Sequence, residues 1–210
     1  SGSTNTIAGN LTIVEGMFQP ETNTQSLTVS GNVIVSGGHL NGYSAARTGV
    51  DNYGSLDIKS GGEFTATQGV TNITNANAGG YGWRRVTGGI FTPNDGTVVF
   101  SRTDNAVYAI EDEFYNLTVD LSPIYYFMDW VDVDGAGLRV NNDFLLNGGD
   151  FRFGTAADNL MVSGTLLVSG TTEFATGNPT GDHTLGTLDI KSGGTYIATQ
   201  GTTKFGVNFA

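Results

Sequence analysis

The sequence predicts an all-β protein, a β-solenoid of about seven to nine coils that forms a single domain over residues 1–210. Three observations lead to this prediction: the composition, an internal duplication, and short glycine-punctuated units at a nearly constant spacing. Gly (32), Thr (28), Asn (18) and Ser (13) together supply 91 of 210 residues, and these types favour turns and strands over helix interiors. With 38% hydrophobic residues, the chain still has enough apolar side chains for a core.

The duplication relates residues 27–69 to residues 160–201. LTVSGNVIVSGG, which starts at residue 27, matches LMVSGTLLVSGT at 7 of 12 positions with an offset of 133 residues. GSLDIKSGGEFTATQG, which starts at residue 54, matches GTLDIKSGGTYIATQG at 12 of 16 positions with an offset of 132. In both LDIK segments apolar and charged residues alternate, so we expect strands with Leu and Ile inward and the Asp and Lys paired outward.

Short units recur within each half, and each is marked by glycine followed closely by an apolar or aromatic residue. Their first glycines are separated by 21, 24, 27, 60, 22 and 23 residues, and the 60-residue gap is where units have diverged. A period of 21–27 residues built from short strands is typical of solenoid coils. The aromatic residues of the units are expected to stack in register inside the solenoid: Phe64, Phe91, Phe151, Phe174 and Tyr196.

Charge and hydropathy argue against two classes of function. The formal net charge of −11 would repel a phosphate backbone, and the nine basic residues are scattered, so nucleic-acid binding is not expected. The densest apolar run, residues 124–128, is far shorter than the roughly 20 residues that cross a bilayer, so membrane insertion is not expected either. The absence of Cys excludes disulfides, and low Lys with abundant Thr, Asn and Gly favours an extracellular location.

Several segments carry a family resemblance: GGIFTPNDGTVVF at 88–100, FYNLTVD at 114–120, and the LTVSG and LDIKSGG units. They resemble the β-helical repeats of large secreted bacterial and archaeal surface proteins of the filamentous-haemagglutinin kind. The resemblance implies a right-handed β-helix, secretion, and a role in adhesion or in an extracellular fibre. It carries over no catalytic residue.

A stretch without glycine, residues 97–134, interrupts the pattern. Its second part combines aromatic and acidic residues and is too apolar for a plain solvated loop. Three interpretations stay open for it: a bulged coil, a subunit interface, and a sugar-stacking platform. The candidate residues for an interface or a glycan site are Tyr125, Tyr126, Phe127 and Trp130.

The same stretch offers a weak calcium site, because Asp129, Asp132 and Asp134 carry hard oxygen ligands. The spacing does not match an EF-hand loop, and no other cofactor is indicated. The sequence also lacks the common nucleophile, phosphate-binding and zinc motifs, and His39 and His183 are expected to be surface residues. We therefore do not expect an enzyme, and a β-helical polysaccharide lyase or hydrolase is only the third hypothesis.

The two ends of the pattern give the sharpest functional hypothesis. Solenoids expose strand edges at their ends unless these are capped, and no capping segment is recognisable here. Either the chain is a segment of a longer repeat protein, or its ends stack or exchange strands head to tail to form a homopolymer. The expected end residues are Leu11, Ile13, Val14, Phe205, Val207 and Phe209. The leading hypothesis is an extracellular fibre, sheath or adhesin subunit, and the alternative is a module that binds surface or matrix polysaccharide.

Overall fold

The computed structural model describes residues 3–41, 47–102, 107–109, 112–121, 126–128, 137–152, 159–170, 172–176 and 179–206. All regular secondary structure in these ranges is β-strand, which confirms the predicted fold class. The strands are β1 (Thr4–Ile7), β2 (Leu11–Ile13), β3 (Met17–Phe18), β4 (Ser26–Val35), β5 (His39–Leu40), β6 (Asp51–Ile58), β7 (Glu63–Thr65), β8 (Val70–Ile73), β9 (Tyr81–Arg85), β10 (Ile90–Thr92), β11 (Thr97–Arg102), β12 (Val107–Ala109), β13 (Glu113–Phe114), β14 (Asn116–Leu121), β15 (Tyr126–Met128), β16 (Leu138–Val140), β17 (Phe144–Gly148), β18 (Asp150–Arg152), β19 (Leu160–Val168), β20 (Thr172–Thr176), β21 (His183–Ile190), β22 (Gly194–Tyr196) and β23 (Thr203–Phe205).

The strands stack in parallel on three faces, and the chain visits the faces in the same order in every coil. Face 1 contains β1, residues 26–29 of β4, residues 51–53 of β6, β8, β11, β14, β17, residues 165–168 of β19 and residues 187–190 of β21. Face 2 contains β2, residues 32–35 of β4, residues 55–58 of β6, β9 and β12, followed by β15, β18, β20 and β22. Face 3 contains β3, β5, β7 and β10, followed by β13, β16, residues 160–162 of β19, residues 183–185 of β21 and β23.

Each face thus holds nine strand segments, within the predicted seven to nine coils. In-register positions on face 1 lie 19 to 27 residues apart, a slightly wider range than the predicted 21–27. The shortest coil, from Val98 to Leu117, has no glycine-aromatic unit of its own. The glycine spacing therefore could not reveal it.

The corner around which one strand continues without a break changes along the solenoid. In the N-terminal half, β4 and β6 bend from face 1 onto face 2. In the C-terminal half, β19 and β21 bend from face 3 onto face 1. The two copies of the duplicated sequence therefore lie one face apart: Val29 aligns with Val162 in sequence, yet the strand register on face 1 leads from Val29 to Val168.

The core is the interior of the three-faced tube, and it is filled by the inward residues of successive strands. On face 1 these residues form an unbroken ladder: Ile7, Val29, Tyr53, Ile73, Phe100, Val119, Leu146, Val168 and Ile190. The predicted aromatic stack is instead split between faces. Phe64 stacks on Phe91 on face 3, with ring centroids 5.7 Å apart, whereas Phe151, Phe174 and Tyr196 are in register on face 2. The shift of the duplicated unit by one face accounts for the split.

Repeated corners hold the coils together by the same local contacts in both copies. The Thr67 hydroxyl donates to the carbonyl oxygens of Arg47 and Gly49 at 2.6 and 2.7 Å, and it accepts the amide of Gly69 at 3.1 Å. The Thr199 hydroxyl makes the equivalent bonds to Pro179, Gly181 and Gly201 at 3.0, 2.5 and 3.0 Å. The Ser-Gly-Gly corner also recurs, with Gly61 and Gly193 at φ of 78° and 84°, a conformation that glycine adopts without strain. These corners explain the punctuation seen in the sequence.

Candidate functional site

The first coil leaves three strand edges without a partner among the described residues. β1 and β2 each pair only with β4, and β3 pairs only with β5. Ile13 is buried and Leu11 is half-buried, but Val14 and Met17 have 65% and 40% of their surface exposed. Edges with unpaired amide and carbonyl groups beside apolar side chains are surfaces on which a further β-strand can add.

The last coil shows the same situation at the opposite end. Residues 187–190 of β21 pair only with β19, β22 pairs only with β20, and β23 pairs only with β21. Ile190 and Phe205 occupy inward register positions, below Val168 and Leu185, but they are 48% and 56% exposed. Because no described strand covers them, these core-type side chains face solvent.

The predicted end residues are only partly accounted for. Leu11, Ile13, Val14 and Phe205 lie on the two end coils as the sequence indicated. Val207 and Phe209 lie outside the described residues. Sequence reasoning missed Ile190 and Met17, although the inward parity of the LDIK unit already pointed to Ile190.

The aromatic and acidic candidates lie mostly outside the described part of the chain. Tyr125, Trp130, Asp129, Asp132 and Asp134 fall there, so neither the glycan site nor the calcium site is assigned any geometry. Tyr126 and Phe127 belong to β15, a face-2 strand that pairs with β18. The backbone of this part of the divergent segment is thus built into the solenoid.

A buried ionic cluster occupies the interior beneath face 1. The carboxylate of Asp51 accepts two bonds from the Arg47 guanidinium at 2.6 and 2.5 Å, one from the Asn41 amide at 3.0 Å and one from the Tyr53 hydroxyl at 2.9 Å. All four side chains are buried. Burial opposes the charged form of Arg47, but the bonds and charge of Asp51 outweigh it and raise the pKa of Arg47. Burial, followed by the charge of Asp51, raises the pKa of Tyr53 well above its usual value.

His183 is the residue of the second copy that aligns with Asp51, and its predicted surface location is wrong. It is fully buried, with Nδ1 2.6 Å from the hydroxyl of Tyr196. Burial lowers the pKa of His183 to about 4, partly offset by the charge of Asp182. His39, by contrast, is half-buried beside Glu63, with Nδ1 3.2 Å from its carboxylate. The interior parity of residues 51 and 183 in the alternating strands was the available signal.

The outward ion pairs predicted from the LDIK units are confirmed. The Asp57 carboxylate contacts Lys59 at 2.7 Å and Arg84 of the next coil at 2.5 Å, and Asp189 contacts Lys191 at 2.6 Å. The bonds from Asp57 raise the pKa of Arg84 despite its partial burial. These pairs lie on the side of the solenoid and support packing between coils.

Asp112 forms a related contact farther along the chain. Its buried carboxylate accepts the indole N–H of Trp83 at 2.8 Å and also pairs with Arg85. Trp83 and Arg85 belong to β9, one coil earlier. The contact is an inter-coil clamp with no open cavity beside it.

Searches for other kinds of site and for relatives gave no positive result. No described group of three or more His, Cys, Asp or Glu side chains is placed to hold a metal ion. No helix long and apolar enough to cross a bilayer occurs in the described ranges. Comparison with protein families, curated proteins and solved structures finds no match to this chain. The two end coils therefore remain the candidate functional surfaces.

Proposed function

We propose that this chain is an extracellular structural protein, a subunit or segment of a self-assembling fibre, sheath or adhesin. The observation that carries the proposal is that core-type residues and strand edges stay uncovered on both end coils of an otherwise buried ladder. Stacking of end coils, or exchange of an end strand, would cover both. The extracellular location rests on the composition and on the resemblance to secreted repeat proteins.

The physical driving force is the same that holds neighbouring coils together within the chain. Each stacked coil pairs the backbone groups of three strands and buries inward apolar side chains. Covering Ile190 and Phe205 removes a large apolar area from water, which is worth roughly 25 cal/mol per Å². Association through non-identical ends is heterologous and does not close on itself, so it produces filaments.

Negative-stain electron microscopy and sedimentation of the 210-residue chain test the proposal. We expect filaments with an axial repeat of about 40 Å, since coils stack at the strand spacing of about 4.8 Å. Phe205→Lys, at an end, should abolish the filaments. Ile90→Lys is the matched control, because Ile90 is 52% exposed but lies on a side face, and it should assemble normally. Monodisperse short rods of the unsubstituted chain at all concentrations would overturn the proposal.

A further inference from the structure

We propose that the end coils are the two complementary halves of one joint, and that its partner is a second copy of this chain. The last coil of one copy accepts the first coil of the next in the internal register, with Ile7 over Ile190, Phe18 over Phe205, and opposite charges across the contact. This inference rests on the proposed function and specifies its geometry. Three features of the described residues carry it.

The first feature is the ladder on face 1. Its inward positions run without interruption from Ile7 in the first coil to Ile190 in the last. A copy stacked in the same register places Ile7 directly below Ile190, so a β-branched pair continues the ladder. The 48% of Ile190 that is exposed would then be buried as Val168 is buried in the coil above.

The second feature is the ladder on face 3. Phe18, Leu40, Phe64 and Phe91 are in register in the N-terminal half. Phe114, Val140, Val162, Leu185 and Phe205 are in register in the C-terminal half. The rings of Phe91 and Phe114 meet at 5.5 Å where the two runs join. Stacking of a second copy brings Phe18 against Phe205, a contact of the kind that the solenoid already makes internally.

The third feature is the charge of the two ends. Residues 3–25 contain two acidic residues, the exposed Glu15 and Glu21, and no basic residue. Residues 191–206 contain Lys191 and Lys204 and no acidic residue. Lys191 pairs with Asp189 of the same coil at 2.6 Å, so the positive charge of this end resides mainly on the exposed Lys204.

The register connects these charges with the apolar contact. If Phe18 lies over Phe205, Met17 lies over Lys204, and Glu15 and Glu21 flank that position along the chain. Glu15 and Glu21 then face Lys204 across the joint, although each copy carries a net charge of −11. The reverse arrangement, first coil against first coil, would set acidic residues against acidic residues and make the paired strands antiparallel. The joint therefore has one polarity.

A charge-exchange experiment tests this polarity. In the double variant E15K/E21K both ends are basic, and in K204E both ends are acidic, so neither should polymerise alone. We expect each to raise the critical concentration for assembly about tenfold or more, as judged from the size of exposed charge pairs. An equimolar mixture should assemble as alternating copolymers, because each basic end finds an acidic one. The triple variant E15K/E21K/K204E should assemble by itself, within about twofold of the unsubstituted chain.

The outcomes separate this joint from the general proposal. All substituted residues are exposed, and far-UV circular dichroism checks that each variant keeps its fold. If the unsubstituted chain forms filaments and both charge variants form them equally well, the joint is wrong while self-assembly stands. Failure of the mixture and of the triple variant to recover would also overturn the joint. If the unsubstituted chain does not assemble, the proposed function itself fails.

Discussion

The two copies of the duplicated unit have the same local structure but different surroundings. In the first copy Leu56 and Ile58 are fully buried, because β9 of the next coil covers them. In the second copy Leu188 is half-buried and Ile190 is largely exposed, since no described strand lies beyond residues 187–190. The unit thus determines where a side chain points, and the adjoining coil determines whether it is buried. The inward position that begins the unit also differs, with Asp51 in one copy and His183 in the other.

The largest expected effect comes from removing the charge partner of Asp51. Arg47→Ala leaves a buried carboxylate without its cation, which should lower the free energy of unfolding by about 3–5 kcal/mol. Urea denaturation followed by the fluorescence of the buried Trp83 measures the change. The double variant Arg47→Met/Asp51→Leu removes both charges and should be more stable than Arg47→Ala. A single variant as stable as the original chain would contradict the importance of the cluster.

The corresponding position in the second copy should make stability depend on pH. The pKa of His183 is lowered to about 4 in the folded protein, against 6.5 in the unfolded chain. The unfolded state therefore binds a proton first as pH falls, and the free energy of unfolding should decrease by about 3 kcal/mol between pH 6.5 and 4. Below pH 4 this contribution should become constant. Hydrogen exchange of the amides of residues 183–190 over this pH range measures it.

Two variants distinguish His183 from the carboxylates that titrate in the same range. His183→Leu should remove the part of the pH dependence that it causes, while His39→Leu, on a half-buried outward residue, should retain it. An unchanged pH profile in His183→Leu would show that the imidazole is not held neutral by burial.

The repeated threonine corner gives a smaller and more evenly matched comparison. Thr67→Val removes two bonds to carbonyl oxygens and leaves the amide of Gly69 without its acceptor, at a cost of about 1–2 kcal/mol. Thr199→Val removes the same bonds near the last coil, where water can replace them, and should cost about 0.5 kcal/mol. Thermal denaturation of the two variants side by side tests whether burial makes the difference. Equal losses would mean that the geometry of the corner alone determines its strength.

The outward carboxylates should give the smallest effects. Asp57→Asn weakens bonds to both Lys59 and Arg84 at a buried site and should cost about 1–2 kcal/mol. Asp189→Asn weakens one exposed pair with Lys191 and should change the free energy of unfolding by less than about 0.5 kcal/mol. Urea midpoints measured in low and high salt provide the check, because only the exposed pair should be strongly screened. A larger loss at Asp189 would contradict this order.

Periodicity was sufficient to predict the solenoid, the coil length and the inward direction of residues such as Ile58 and Phe64. It could not predict the shift by one face, because the LTVSG sequence fits any of the three faces equally well. The buried polar residues were missed because polarity was taken to mean exposure. Asp51 and Tyr53 share the parity of an alternating strand, so both must point inward once Tyr53 is in the core. Burial at the end coils depends on a neighbouring coil, which the local sequence does not contain.

The shift of the duplicated unit has a consequence for how such a chain tolerates insertions and deletions. The 133 residues between aligned positions cover five and two-thirds coils, or about 23 residues per coil. A third of a coil, about eight residues, is therefore a tolerated step, because every face offers the same parallel edge and the same inward parity. Gaining or losing one such step rotates all later surface features by one face around the axis while the core stays filled. A repeat protein of this type can thus redirect its outward-facing residues through a change in length alone, with no substitution in its core.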